Sequence, residues 1–221
     1  KGTQGGGFTL EALLGIPRNS LKTPDKYGFE IKTFKKNGRI SLFTPTADIG
    51  EEGRLSFREF MTKYGRVSAD LSGKIVFNGI HRYGKKNKQT GLVLGIKGYR
   101  ADTDEFVESD TSKIFIGLFS EISEKLISGW SFEKLLNSWN KKHTSACYVE
   151  YESREFSRNN KHDKEYYFTG RIIIGSGTSI SNYFRNVEKK FIYYDPGHSI
   201  KKSGEAKVRP QWRMSVTSKL A

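Results

Sequence analysis

The stretch that decides the fold covers residues 24–34 and reads Pro24-Asp25-Lys26-Tyr27-Gly28-Phe29-Glu30-Ile31-Lys32-Thr33-Phe34. It predicts a strand over residues 27–34, in which alternate side chains point to opposite faces. Glu30 and Lys32 then project from one face, about 6 to 7 Å apart, and the break at Pro24 lets Asp25 curl back toward Glu30. Two neighbouring carboxylates favour a cation between them, and hard oxygen ligands suit Mg²⁺. Because a lysine beside a metal-bound water can orient or deprotonate it, the pattern predicts metal-dependent phosphodiester hydrolysis.

The same pattern can arise by chance, because 28% of the residues are charged. Acid-x-Lys also occurs at residues 188–190 and 205–207, but neither copy lies in an apolar strand with an upstream acid. The alternative interpretation of Asp25, Glu30 and Lys32 is a solvated strand face with an incidental salt bridge.

The residues before the motif supply its context, and they read Gly5-Gly6-Gly7-Phe8-Thr9-Leu10-Glu11-Ala12-Leu13-Leu14-Gly15. They predict a short helix that Thr9 caps and Gly15 ends, with leucines toward the core. Glu11, on the other side of this helix, could reach the same cation. A Gly-rich entry, a helix bearing a glutamate, and Asp-x4-Glu-x-Lys on a strand together resemble the MvaI/BcnI family of restriction endonucleases. That family is related to the mismatch-repair nickase MutH within the PD-(D/E)xK nuclease group.

The resemblance implies the fold and the domain organisation. It implies an α/β (α+β) fold, in which helices flank the mixed sheet of a PD-(D/E)xK core and two lobes form a cleft for duplex DNA. We therefore expect a catalytic lobe over residues 1–110 and a DNA-recognition lobe over residues 111–221, with an approximate boundary. A chain of 221 residues is long enough to bury such a core.

The resemblance also implies an activity and its residues. It implies a type II restriction endonuclease, a monomer that nicks the two strands of a short CC-N-GG type pseudopalindromic site in turn. Asp25 and Glu30 would bind Mg²⁺ together with the carbonyl of Ile31. Lys32 would activate or position the attacking water, and Glu11 would support the metal site. Such an enzyme works in the bacterial cytoplasm beside a cognate DNA methyltransferase, with which we expect no stable complex.

Composition narrows the class of partner. A net charge of +14 and a pI near 9.7 indicate a polyanionic binding partner, either nucleic acid or an anionic membrane surface. No apolar run approaches the roughly 20 residues that span a bilayer, and no signal peptide is visible, so a membrane role is not expected. The single Cys147 excludes an internal disulfide framework and a cysteine-rich zinc site, and it suits a reducing cytoplasm.

Local patterns predict the elements around the motif. Apolar residues recur at helical spacing over residues 55–64, 131–142 and 179–191. The Asn-Gly signature at residues 36–38 predicts a tight hairpin, in which the motif strand pairs with residues 39–43.

A longer hairpin is predicted from residues 146–156 and 164–175, with a polar, basic tip between them. Such tips can enter a DNA groove, where they read base edges, but they are also common as plain surface loops. Base-reading candidates follow from loop position and charge, because arginine reads guanine bidentately, and they are Arg158, His162, His198, Arg209 and Arg213.

Three alternatives stay open. A mismatch-repair nickase of the MutH kind shares the chemistry but cuts one strand only. A DNA-binding protein without catalysis would use the basic surface alone and show salt-dependent binding without metal-dependent products. An RNA-binding protein is the third alternative, although no aromatic RNA-stacking motif is evident.

Overall fold

The computed structural model describes residues 5–17, 25–70, 72–158 and 161–216, without the side chains of residues 156, 158 and 161–163. The described chain is a mixed α+β protein with several sheets and few helices, which confirms the predicted fold class. Its α-helices are α1 (Gly5–Leu13), α2 (Gly50–Arg54), α3 (Phe57–Tyr64), α4 (Phe132–His143) and α5 (Ile180–Glu188), with a 3₁₀ turn at Thr111–Lys113. Its strands are β1 (Glu30–Phe34), β2 (Arg39–Phe43), β3 (Arg66–Val67), β4 (Ile75–Asn78), β5 (Leu92–Lys97), β6 (Tyr99–Arg100), β7 (Glu105–Phe106), β8 (Phe115–Ser120), β9 (Leu126–Ser131), β10 (Ser145–Arg158), β11 (Lys161–Ser176), β12 (Ile192–Tyr194), β13 (Gly197–Ile200), β14 (Ala206–Lys207) and β15 (Trp212–Ser215).

The chain forms two compact units whose segments alternate along the sequence. The motif unit comprises Lys1–Ile40, Asn140–Thr178 and Ser215–Ala221, and the larger unit comprises Ser41–Trp139 and Ser179–Met214. The predicted boundary near residue 110 separates a catalytic lobe from a DNA-recognition lobe. This assignment of roles stays a prediction.

The sheet of the motif unit has the strand order β1-β10-β11. β1 runs parallel to β10, with Glu30 opposite Ala146 and Phe34 opposite Glu150. β10 and β11 form one long antiparallel hairpin that begins where Ser145 faces Ser176 and extends beyond the predicted strands. The motif strand is therefore fixed by residues more than one hundred positions away.

The predicted hairpin between the motif strand and residues 39–43 is wrong. β1 pairs with β10, whereas β2 lies in another sheet with the order β12-β15-β2. A tight type I′ hairpin needs a positive φ at both central residues. Asn37 has a φ of 58°, but Gly38 is not in the left-handed region, so the turn does not fold β2 back onto β1.

The core of the larger unit is aromatic. Trp130 and Trp212 are fully buried, with ring centroids 5.0 Å apart in an edge-on arrangement. The indole N–H of Trp130 donates to the Pro45 carbonyl at 2.9 Å, which satisfies its polar atom inside the core. Large rings bury much area per residue, and they compensate for a hydrophobic content of only 35%.

Helix α3 lies close to its predicted range. It begins after Ser56, whose hydroxyl accepts from the Glu59 N–H while the Glu59 carboxylate accepts from the Ser56 N–H. This capping box satisfies two backbone donors at the helix start. Within the described residues, no helix is long and apolar enough to cross a membrane.

Candidate active site

A tight turn sets the position of Asp25. Lys26 and Phe29 exchange backbone hydrogen bonds, and the two residues between them, Tyr27 and Gly28, have φ values of 51° and 79°. Positive φ at both central residues marks a type I′ turn, so the strand begins after this turn and not at Tyr27 as predicted. The turn brings Asp25 to the start of β1, where its Oδ2 accepts from the Ile31 N–H at 2.8 Å. Pro24, to which the sequence assigned the break, lies outside the described residues.

Glu30 and Lys32 share one face of β1, as the strand alternation predicts. Lys32 Nζ lies 3.0 Å from Glu30 Oε1, and the two side chains are only 14% and 8% exposed. This is not a solvated strand face. Burying an ion pair costs desolvation energy, so a buried pair in this setting points to a function.

A second lysine completes the surroundings of Glu30. Lys142 Nζ lies 2.7 Å from Glu30 Oε2, so each carboxylate oxygen faces one ammonium group. Lys142 belongs to the last turn of α4, and the parallel pairing of Glu30 with Ala146 brings that turn to the motif strand. Sequence reasoning missed Lys142. The only signal was the basic end of α4 just before a strand.

Tyr148 extends the polar face beside Lys32, which it opposes in the register of β1 and β10. Its hydroxyl lies 3.4 Å from Nδ1 of the buried His143. Burial, with the negative charge of Glu30, raises the pKa of Tyr148 to about 12. The phenol is neutral near pH 7, as a tyrosine with the ordinary pKa of about 10 also is, and its hydroxyl can donate a hydrogen bond at the site.

Glu11 lies on α1, as predicted, but the helix is built differently from the expectation. Thr9 does not cap the helix, because its hydroxyl donates to the Gly5 carbonyl at 2.8 Å from within the first turns. Gly15 ends the helical segment with a φ of 68°, and Ile16 N–H donates to the Glu11 carbonyl. This wrapped end confirms the predicted stop at Gly15.

The acids of the site fit a divalent cation by their chemistry. Asp25 and Glu30 offer hard carboxylate oxygens at the start of one strand, and Mg²⁺ is commonly held by one or two carboxylates plus water and phosphate. Within the described ranges, no three His, Cys, Asp or Glu side chains form a metal-binding group. Glu11 is therefore not gathered with Asp25 and Glu30 into a ready-made three-acid site.

His198, one of the candidate base readers, lies in the core of the larger unit. It is 1% exposed, and its ring packs near Phe57 and Phe77 at centroid distances of 5.5 Å and 6.1 Å. Its Nδ1 accepts from the Arg209 N–H at 2.9 Å. Burial lowers the pKa of His198 to about 4, so the ring is neutral near pH 7. This position argues against a contact with a base edge.

The other base-reading candidates differ in the solvent exposure of their side chains. Arg213 is 18% exposed, and its guanidinium is engaged within the protein by a contact with Asp195 at 3.3 Å. Arg209 is half-buried beside Gly197. Arg158 and His162 lie at the tip ends of β10 and β11, and their side chains lie outside what the structure describes.

Comparison with known proteins places these features in a family. The sequence matches the MvaI/BcnI restriction endonuclease family over residues 2–219. No curated protein matches it. Among solved structures, a complex of the restriction endonuclease MvaI with its cognate DNA is similar with a TM-score of 0.73 at 20% identity, over 100% of this chain and 85% of that chain. MvaI without DNA gives a TM-score of 0.53 at 16% identity, over 94% of this chain and 78% of that chain.

The structural likeness supports the fold, and the family match covers nearly the whole sequence. The chain therefore belongs to the MvaI/BcnI restriction endonuclease family and is a site-specific DNA endonuclease.

Proposed function

We propose that the chain is a Mg²⁺-dependent type II restriction endonuclease that cuts a short CC-N-GG type pseudopalindromic site as a monomer, nicking the two strands in turn. The observation that carries this proposal is the buried pairing of Glu30 with Lys32, next to Asp25 at the start of β1. Hydrolysis of a phosphodiester needs charged groups that bind the ion and position water, and this need would account for the charges kept at this buried position.

In this proposal, Asp25 and Glu30 would hold Mg²⁺ with help from the Ile31 carbonyl, and Glu11 would support the site from α1. The bound ion would neutralise the carboxylates and polarise the phosphodiester. Lys32, fixed 3.0 Å from Glu30, orients the attacking water and stabilises negative charge on the phosphate. Asp25 also fixes the start of the strand, because one of its oxygens accepts from the Ile31 N–H.

The proposed substrate is duplex DNA, and the proposed setting is the bacterial cytoplasm beside a cognate methyltransferase. The net charge of +14 supports a polyanionic partner. The similar MvaI structure holds its own cognate DNA, which supports a duplex substrate for this chain. We assign DNA contacts to Arg158, His162 and Arg209; the proposed metal-binding acids and Lys32 lie in residues 1–110, and the proposed reading residues lie in residues 111–221.

The test is a digest of supercoiled plasmid and long linear DNA with Mg²⁺ or EDTA, followed by sequencing of the ends. We expect Mg²⁺-dependent linear products that share one end sequence of the CC-N-GG type. Products that stop at open circles would replace the restriction enzyme with a strand nickase. DNA that binds but stays intact in both conditions would overturn the catalytic assignment.

A further inference from the structure

The carboxylate of Glu30 is already occupied by cations of the protein itself. Lys32 contacts one of its oxygens at 3.0 Å and Lys142 contacts the other at 2.7 Å. Only 8% of the Glu30 side chain is exposed, so water screens these contacts weakly. One negative charge thus faces two positive charges before any metal ion binds.

This arrangement conflicts with metal binding. A Mg²⁺ ion binds carboxylate oxygen at about 2.0–2.1 Å, so an ammonium group that stays on the same carboxylate lies within a few Å of a divalent charge. Charges of one sign at such distances repel by several kcal/mol even at an effective dielectric constant near 20. The two ammonium groups therefore oppose binding of the ion, and displacement of one of them relieves part of this repulsion.

The geometry identifies which lysine gives way. Lys32 lies two residues from Glu30 on the same strand and is 14% exposed. Lys142 approaches from the end of α4 and is 24% exposed, so its long stem has room to swing toward solvent. Its ammonium group is the displaceable one.

We infer that Lys142 is a positioning residue that competes with the divalent ion for Glu30. It holds the Glu30 carboxylate in position in the metal-free protein through the 2.7 Å contact, and it raises the metal concentration at which the site fills. This inference rests on the proposed metal-dependent nuclease function.

The test measures direct binding of Mn²⁺ to the DNA-free protein. The electron paramagnetic resonance signal of the free ion reports how much Mn²⁺ stays unbound. Lys142→Met removes the charge and keeps the apolar stem, and we expect it to bind Mn²⁺ about tenfold more tightly, or about 1.4 kcal/mol. Lys142→Arg keeps the charge and should retain the wild-type affinity. Lys141→Met, at the exposed neighbouring position, is the matched control and should also retain it.

Glu30→Gln distinguishes failure of the competition from failure of the metal site, because this variant should abolish Mn²⁺ binding. The competition is overturned, and the nuclease site left intact, by one combination of results. In that combination Glu30→Gln abolishes the binding seen in the wild type, and Lys142→Met binds Mn²⁺ no more tightly than the wild type. Absence of binding by both the wild type and Lys142→Met, or binding by Glu30→Gln equal to that of the wild type, overturns the metal site and the inference with it. Thermal unfolding checks that each variant folds, and Lys142→Gln replaces Lys142→Met if the latter does not.

Discussion

At the scale of single residues, Lys32 is the group whose role is tied most directly to chemistry. It is buried beside Glu30 and shares the polar face of β1. Its ammonium group is held by its pairing with Glu30, so in the proposed mechanism it would already be in place before the reaction. Burial of an ion pair is costly, and the proposed contact with the substrate would account for that cost.

Lys32→Ala should lower the cleavage rate by about 10²–10⁴-fold, the usual range for a lost proton-transfer group. DNA affinity should change little, because the side chain is buried beside its partner carboxylate and offers little surface for binding. Single-turnover cleavage and a gel-shift titration measure the two effects separately. Lys36→Ala, which removes an exposed charge in the turn after the same strand, is the control. Wild-type cleavage by Lys32→Ala would remove the lysine from the mechanism.

At the scale of elements, α1 depends on its glycines because it lies very close to the long hairpin. A Cβ at Gly6 would lie 2.7 Å from the Tyr151 ring, and one at Gly5 would overlap the Tyr166 hydroxyl. The two tyrosine rings pack against each other at 5.8 Å, so neither can move away freely. At Gly7, in contrast, the nearest atom would be Thr33 Oγ1 at 3.7 Å, an ordinary contact. Gly5 and Gly6 therefore allow α1 to pack closely against the tyrosines of the hairpin, whereas Gly7 has no such role.

Gly6→Ala should destabilise the protein, because the helix must shift away from Tyr151, and it should slow cleavage by moving Glu11 with the helix. Gly7→Ala should stabilise it by about 0.5–1 kcal/mol, because alanine restricts the unfolded chain and fits the helix. Urea unfolding of both variants checks the opposite signs. Equal effects at the two positions would contradict the proposed packing of α1.

At the scale of the whole molecule, stability in acid should be limited by buried histidines of the larger unit. Burial lowers the pKa of both His81 and His198 to about 4 from an ordinary value of 6.5. Between these pH values the unfolded chain binds protons that the folded chain does not, so stability falls as the pH falls from 6.5 to 4. Each histidine accounts for about 3 kcal/mol over this window. Glu52, whose pKa burial raises to about 6, opposes the loss with about 2 kcal/mol as it becomes protonated.

His198→Asn should flatten this pH dependence. The asparagine oxygen can replace Nδ1 as the acceptor for the Arg209 N–H, but the side chain binds no proton in this range. Unfolding free energies from urea titrations at pH 7 and pH 5 test the difference in slope. Parallel curves for wild type and variant would show that His198 does not titrate on unfolding.

The sequence predicted what is local and missed what is distant. Asp25, Glu30 and Lys32 lie within eight residues of one another, so strand alternation and one turn suffice to bring them together. Lys142 lies 112 positions from Glu30, and only the parallel pairing of β1 with β10 joins them. The burial of His198 was equally hidden, because a basic, Gly-rich segment gives no periodic signal for a core position. The Asn-Gly turn was recognised, but its backbone conformation and hence the partner of β1 were not.

The parallel pairing of β1 with β10 also has a consequence for the synthesis of the protein. Glu30 is synthesised more than one hundred residues before the strand that pairs with β1 and the lysine that faces it. Closing so long a loop delays folding relative to local contacts. A chain that ends before Lys142 therefore lacks both the strand that pairs with β1 and the lysine that faces Glu30, so it would lack the complete site of the proposed nuclease.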